Sequence, residues 1–265
     1  MHKLQLLLIG HGKMGGAMLA GWQTADLLGE TYVIDPAIDA IKTNGSVHYV
    51  DGREHVPANF TPNILLLAIK PQLLDKVLPD YIGMIQEFKP VLLSILAGKT
   101  IADLAQYGGE GTAIIRSMPN LPATIGQGMT ALIGNNHVTK EQQNQTQTLL
   151  EANGEVLWID HEDQLDAITA ISGSGPAYLF HFLESYINAA KKLGFNDEQA
   201  QHLVYQTVRG SMELAQSSTQ SAAELRQAVT SKNGTTEAAL NKLMPHLQPL
   251  MEQTLNGAYE RSKEL

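Results

Sequence analysis

The chain has 265 residues, with 18 Lys or Arg against 27 Asp or Glu, a formal net charge of −9 and no cysteine. With 43% hydrophobic and 17% charged residues it can bury a sizeable core, and its length fits one large domain or two modest ones. The acidic balance argues against nucleic acid or an anionic membrane as partner, and the missing thiols exclude disulfides, Cys-ligated metals and Cys nucleophiles.

The first segment, Leu4–Ile9, is a short apolar run ending at Gly10, read as a strand rather than a secretory leader. Lys13–Ala25 reads as a helix and Thr31–Ile34 as a second strand, stopped by Asp35-Pro36. Asn63–Ile69 is an almost wholly apolar strand stopped by Lys70-Pro71. Pro71–Gln86 carries Leu73, Leu74, Val77 and Leu78 at helical spacing. Val91–Leu96, Ala113–Arg116, Met129–Ile133 and Glu155–Trp158 complete the strands, with a short helix at Thr100–Tyr107. Gln142–Gln147 is a short glutamine-rich stretch, read as a solvated helix face. Apolar strands alternating with helices predict a parallel sheet covered on both faces. From His161 onward no strand is expected. Ala177–Leu193, Asn196–Gln216, Glu237–Met244 and Pro245–Lys263 read as helices, with Gly194 and Asn196 as a stop and a restart. The expected plan is α/β: a Rossmann-type domain over 1–160 and an all-helical domain over 161–265. Tyr178, Leu179, Phe180, Phe182, Leu183, Tyr186 and Ile187 make the first long helix apolar over much of its circumference, so its own domain or a second subunit must bury it. No apolar run approaches the ~18 residues of a membrane span, and a cytoplasmic protein is expected.

Ile9-Gly10-His11-Gly12-Lys13-Met14-Gly15 contains G-x-G-x-x-G between a strand and a helix, the context a dinucleotide fingerprint needs. Gly10 suits the tight turn, Gly12 a close approach of backbone to pyrophosphate, and Gly15 close helix packing. The helix start offers N–H groups and a positive dipole end to phosphate. Asp35, twenty residues after Gly15, either accepts hydrogen bonds from an adenosine ribose and repels a 2′-phosphate, or begins a turn. Lys70 and Pro71, after Ala68, end another strand at the edge where such sheets bind ligands. Ala97 lies in a small-residue segment at the same edge, and Asn120 is suited to an amide or carboxylate.

Two glycine- and hydroxyl-rich segments interrupt the helical half. Ile171-Ser172-Gly173-Ser174-Gly175-Pro176 is either a kink or a ligand contact. In Val229-Thr230-Ser231-Lys232-Asn233-Gly234-Thr235-Thr236, glycine and hydroxyls precede a helix, an arrangement suited to a small carboxylate and equally to N-capping. The histidines, His11 included, have no spacing that pairs them with a base or a metal, and no metal is expected.

Together, the glycine loop, Ala68-Ile69-Lys70-Pro71, Arg116-Ser117-Met118-Pro119-Asn120-Leu121-Pro122, Ser172-Gly173-Ser174-Gly175-Pro176-Ala177-Tyr178 and Ser231-Lys232-Asn233-Gly234-Thr235-Thr236 resemble pyrroline-5-carboxylate reductase, in order and over nearly the whole chain. The resemblance implies reduction of 1-pyrroline-5-carboxylate to L-proline by NADPH or NADH, the last step of proline synthesis. It implies a homodimer through the helical domains, with possible assembly into larger rings. It places the substrate between nicotinamide and helical bundle. Gly10, Gly12, Lys13, Met14 and Gly15 would hold the pyrophosphate. Ala68, Lys70 and Pro71 would line the nicotinamide side, with Ala97 and Asn120 nearby. Ser231, Gly234, Thr235 and Thr236 would hold the substrate carboxylate and ring nitrogen. The chain departs from many members in having Lys232-Asn233 where they have Pro-Gly, and Asp35 where they have a hydroxyl or basic residue, which leans the cofactor toward NADH. The rival readings are a hydroxyacid dehydrogenase, which would want a Lys or His donor in the helical half, and a non-catalytic dinucleotide sensor.

Overall fold

The computed structural model describes residues 3–39 and 41–264. These divide into two compact units, Met1–Ser174 with Tyr259–Leu265, and Gly175–Ala258. The first unit is built on a nine-stranded sheet: β1 (Leu4–Ile9), β2 (Leu28–Ile34), β3 (Lys42–Asn44), β4 (Val47–Val50), β5 (Ile64–Leu67), β6 (Val91–Ser94), β7 (Ile114–Met118), β8 (Gly128–Gly134) and β9 (Gly154–Trp158). Its order is β3-β4-β2-β1-β5-β6-β7-β8-β9. From β1 the chain steps outward through β2 to β4, then returns to β5 on the other side of β1. The crevice at this reversal is where open α/β sheets bind ligands.

The apolar runs alternate between two covered faces. Leu7, Ile9, Leu65, Leu67 and Leu92 pack under Leu74, Leu78, Tyr81, Ile85 and Leu104. Leu6, Leu8, Leu66 and Leu93 pack under Met18, Leu19, Trp22, Leu149 and Leu150. The covering helices of the second face are α1 (Lys13–Thr24) and α5 (Lys140–Glu151). α5 contains the glutamine-rich stretch, and it turns Leu149 and Leu150 inward.

The sheet departs from the expected all-parallel arrangement at two places. β3 pairs antiparallel with β4, and β8 antiparallel with β7. Both are joined without a crossover helix, and only a crossover can return a chain to run parallel. The pair β3–β4 was not expected at all, because Lys42-Thr43-Asn44 is exposed and carries no apolar signature. The expected helix at 71–86 is instead a series: a 3₁₀ turn Pro71–Leu73, α2 (Leu74–Val77), a 3₁₀ turn Leu78–Tyr81 and α3 (Ile82–Phe88). Pro79 lies at the second break, where it removes a backbone donor. The remaining crossover helix is α4 (Ile101–Gly108).

The units part after Ser174, later than the boundary near 160 read from the sequence. The helical segment α6 (Gln164–Ile168) and a π-helical turn at Thr169–Gly173 stay with the sheet. Leu165 is buried there with Ala131 and Ile133, and Ser262 Oγ donates to Asp166 Oδ1 at 2.7 Å.

The second unit consists of α7 (Gly175–Lys192), α8 (Asp197–Ser217), α9 (Ala222–Ala228) and α10 (Thr235–Lys263) as far as Ala258. Gly194 (φ +101°) ends the α7 segment, and Asn196 caps α8 through a reciprocal bond pair with Gln199. α10 is one helix of 29 residues with Pro245 and Pro249 inside it, where two helices were expected. The core between α7 and α8 centres on Ala190, Ala200 and Val204. Leu179 and Phe180 remain 62% and 56% exposed, and Phe182, Tyr186, Leu203, Met212, Leu214 and Leu250 are exposed with them. Among the described residues, no helix is long and apolar enough to cross a membrane.

Candidate functional site

Parallel register sets the first part of the site. Ile9 pairs with Ile34 and Leu67, Leu67 with Ser94, and Ser94 with Arg116. The segments that follow those positions therefore emerge in a row at one edge. They carry Gly10, Asp35, Ala68, Ala97 and Asn120.

The glycine loop is shaped by steric necessity. Gly10 sits at φ +99°, and a Cβ there would lie 2.5 Å from the Ala68 carbonyl oxygen. A Cβ at Gly15 would lie 2.4 Å from the Gly10 carbonyl oxygen and 3.1 Å from Ala68 Cβ. Ala68, whose N–H donates to the Ile9 carbonyl at 2.8 Å, is thus the wall against which the loop closes. Gly12 differs: a Cβ there would meet nothing within 4 Å. It is the N-cap of α1 with no side-chain cap bond, and no acidic residue lies in the first turn. An exposed helix start with uncapped N–H groups and open space above its glycine fits a pyrophosphate. Lys13 is exposed beside it, and Met14 is half-buried against the α1-side core.

Asp35 is half-buried at the end of β2. Its Oδ2 accepts the His11 N–H at 2.7 Å and its Oδ1 the Ala37 N–H at 2.9 Å. It therefore starts the turn and anchors the glycine loop at once. Each carboxylate oxygen keeps acceptor capacity for a hydroxyl. Its negative charge stands beside the loop.

Lys70 is exposed and precedes Pro71, which opens the 3₁₀ turn. Ala97 is half-buried in a turn completed by Gly98 at φ +72°. Asn120 is held through both ends of its amide. Its Nδ2 donates to the Ser172 carbonyl at 3.1 Å and its Oδ1 accepts the Met129 N–H at 2.9 Å. Both ends of the amide tie the Met118-Pro119-Asn120 segment to β8 and to the π-helical turn. The glycine-rich segment 171–176 is thus a packed helical junction in its first half, with a Cβ at Gly173 within reach of Met118.

One further residue had no sequence signal. Glu162 Oε1 accepts from Arg116 Nη1 and from the Ile101 N–H, each at 2.7 Å. These partners are 46 and 61 residues away, beyond any local pattern.

The second unit carries the hydroxyl loop. Thr230 closes α9, its hydroxyl donating to the Arg226 carbonyl at 2.6 Å. The Gly234 N–H donates to the Ser231 carbonyl at 3.0 Å, and a Cβ on Gly234 would lie 2.3 Å from Ser231 Oγ. Asn233 takes the left-handed conformation (φ +59°), which Asn tolerates, and its N–H donates to Glu237 Oε2 at 2.7 Å. The Gly234 carbonyl accepts the Ala238 N–H at 3.2 Å, so a residue without a side chain stands at the cap position of α10. Within this unit the hydroxyls of Ser231, Thr235 and Thr236 are not spent on a cap. The structure brings these three and Gly234 together on one helix start.

The pyrroline-5-carboxylate reductase dimerisation family matches residues 162–265. The chain is 35% identical to a pyrroline-5-carboxylate reductase of Pseudomonas aeruginosa, over 98% of this chain and 96% of that one. A solved pyrroline-5-carboxylate reductase from Coxiella burnetii superposes with a TM-score of 0.89 at 31% identity, covering 99% of this chain and 98% of that chain. The Plasmodium falciparum pyrroline carboxylate reductase solved with NADP bound gives 0.85 at 28% identity, covering 100% and 98%. A full-length match at this identity places the chain in the pyrroline-5-carboxylate reductase family.

Proposed function

We propose that the chain reduces 1-pyrroline-5-carboxylate to proline with a nicotinamide dinucleotide, preferring NADH, and works as a homodimer formed through its helical half. The observation that carries the reading is the uncapped start of α1, with open space above Gly12 and a wall at Ala68. When bound, the cofactor supplies a hydride for the imine carbon.

The residues do the rest. Gly10 and Gly15 keep the loop tight, Gly12 admits the pyrophosphate, and the backbone N–H groups of Lys13 and Met14 donate to it. Asp35 takes the ribose hydroxyls on its spare lone pairs and repels a 2′-phosphate. Ala68, Lys70, Pro71 and Ala97 border the nicotinamide. Asn120 acts one step away, by fastening the adjoining segment. In the second unit, Ser231, Gly234 and the N–H groups of Thr235 and Thr236 receive the substrate carboxylate, and the Thr236 hydroxyl holds the ring nitrogen. A protonated imine is the better hydride acceptor, because transfer neutralises its charge. The loop needs only to bind that form and orient it, and orientation alone supplies up to ~7–11 kcal/mol in favourable cases. The exposed apolar faces of α7, α8 and α10 are of the kind an obligate interface buries.

The test is the loss of NADH or NADPH absorbance with pyrroline-5-carboxylate, beside sedimentation of the protein at assay concentration. Turnover with NADH favoured about tenfold, by a dimer or a multiple of it, is expected. No turnover with either cofactor, or full activity from a monomer, would sink the reading.

A further inference from the structure

The turn that carries Ala97 runs from the end of β6 to the start of α4, and it is held at both ends. At its start, the Leu96 N–H donates to Ser94 Oγ at 3.2 Å, and Ser117 Oγ donates to the Ser94 carbonyl at 3.1 Å. At its end, Thr100 and Asp103 form a reciprocal cap on α4. The Thr100 N–H and hydroxyl reach Asp103 Oδ2, each at 2.8 Å, and hold that carboxyl below its usual range. The first N–H of α4, on Ile101, goes to Glu162.

Glu162 is the less expected of these fastenings. The same oxygen that takes the Ile101 N–H also takes Arg116 Nη1. Arg116 is only 9% exposed and stands in β7 beside Ser94 of β6 and Ile133 of β8. A guanidinium this buried needs a charged partner, and losing one partner of such a pair leaves a costly unpaired charge. That partner lies at the entry to the segment running through α6 and the π-helical turn. One carboxylate oxygen therefore joins three segments: the end of the Ala97 turn, the strand leading to Met118-Pro119-Asn120, and the approach to the π-helical turn.

We infer that Glu162 is a positioning residue for the reduction: through Ile101 and Arg116 it fixes the Ala97 turn against which the nicotinamide is held. This rests on the cofactor reading given above. Glu162 does not touch substrate. Its removal should loosen the turn and leave the hydroxyl loop of the second unit as it is.

The test uses Glu162→Ala and Glu162→Gln in the full-length protein. The glutamine keeps an acceptor for the Ile101 N–H and removes the charge. NADH dissociation constants are measured by titration without substrate, steady-state kinetics with pyrroline-5-carboxylate, and melting temperature on the same samples. Glu162→Ala should weaken NADH and lower kcat by about tenfold each, with KM for pyrroline-5-carboxylate within about twofold of wild type. Glu162→Gln should recover a substantial part of both losses. A purely structural pair would lower melting temperature and active fraction while the folded molecules kept the wild-type NADH constant, and that result overturns the inference. So would equal losses in NADH binding and substrate KM. If the wild type turns over no pyrroline-5-carboxylate, the reaction reading fails, while NADH titration of the variants still decides the role of Glu162.

Discussion

The starts of α1 and α4 lie at the same edge of one sheet and are finished in opposite ways. At α4, Thr100 and Asp103 exchange backbone and side-chain bonds, and Glu162 takes the first N–H. At α1, Gly12 stands at the cap with no side chain, no acidic first turn and open space above it. α5, α8 and α9 are closed like α4, by Thr139 with Gln142, Asn196 with Gln199 and Ser221 with Glu224. α10 resembles α1, because Gly234 precedes its first residue. A helix start leaves its first N–H groups without intrahelical partners, open to a side chain, water or a ligand. The two starts that follow a glycine are the two that carry the proposed ligand sites.

The sharpest way to break this contrast is to close α1. Gly12→Asp meets no steric obstacle and supplies the cap that α4 already has. NADH binding should weaken about 100-fold, roughly 2.8 kcal/mol, because the carboxylate takes the N–H groups and repels the pyrophosphate. Melting temperature should hold or rise. Unchanged NADH affinity by titration would show that the α1 start is not the phosphate site.

Thr236→Ala tests the other open start. It should lower kcat/KM for pyrroline-5-carboxylate by ~10–100-fold, the effect of a lost bond of ~1.5–3 kcal/mol, with NADH affinity unchanged. A lower melting temperature with wild-type kinetics would make Thr236 a helix residue and nothing more.

Asp35→Ser probes the charge beside the α1 loop. It keeps an acceptor for the His11 N–H and removes the repulsion of a 2′-phosphate. The ratio of kcat/KM with NADPH to that with NADH should rise about tenfold. No change in the ratio would leave Asp35 as a turn residue only.

The smallest effect belongs to a closed start that carries no proposed ligand site. Thr139→Ala removes the α5 cap, in which Thr139 Oγ1 accepts the Gln142 N–H at 3.2 Å. It should cost about 1 kcal/mol, lower the melting temperature by a few degrees, and leave both cofactor and substrate constants alone. A kinetic change there would blur the distinction between closed and open starts.

The features legible in the amino-acid order are those written by neighbours. Leu6–Ile9, Ile64–Leu67 and Val91–Leu93 are apolar at every position because both faces of the sheet are covered. The glycine loop was readable because its three glycines stand at fixed spacing between an apolar run and a helical pattern, and the Gly-Thr-Thr start because glycine and hydroxyls cluster before a helical pattern. The short edge pair β3–β4 was not readable, since exposed Lys42-Thr43-Asn44 has no apolar period and is a strand only by pairing with β4. Only the tertiary structure decided that Asn120 fastens a loop, that Glu162 serves both Arg116 and Ile101, and that residues 164–173 stay with the sheet. Each of these depends on groups dozens of residues apart that only packing brings together: Leu165 on Ala131 and Ile133, and Glu162 on an Arg116 buried enough to need a charged partner.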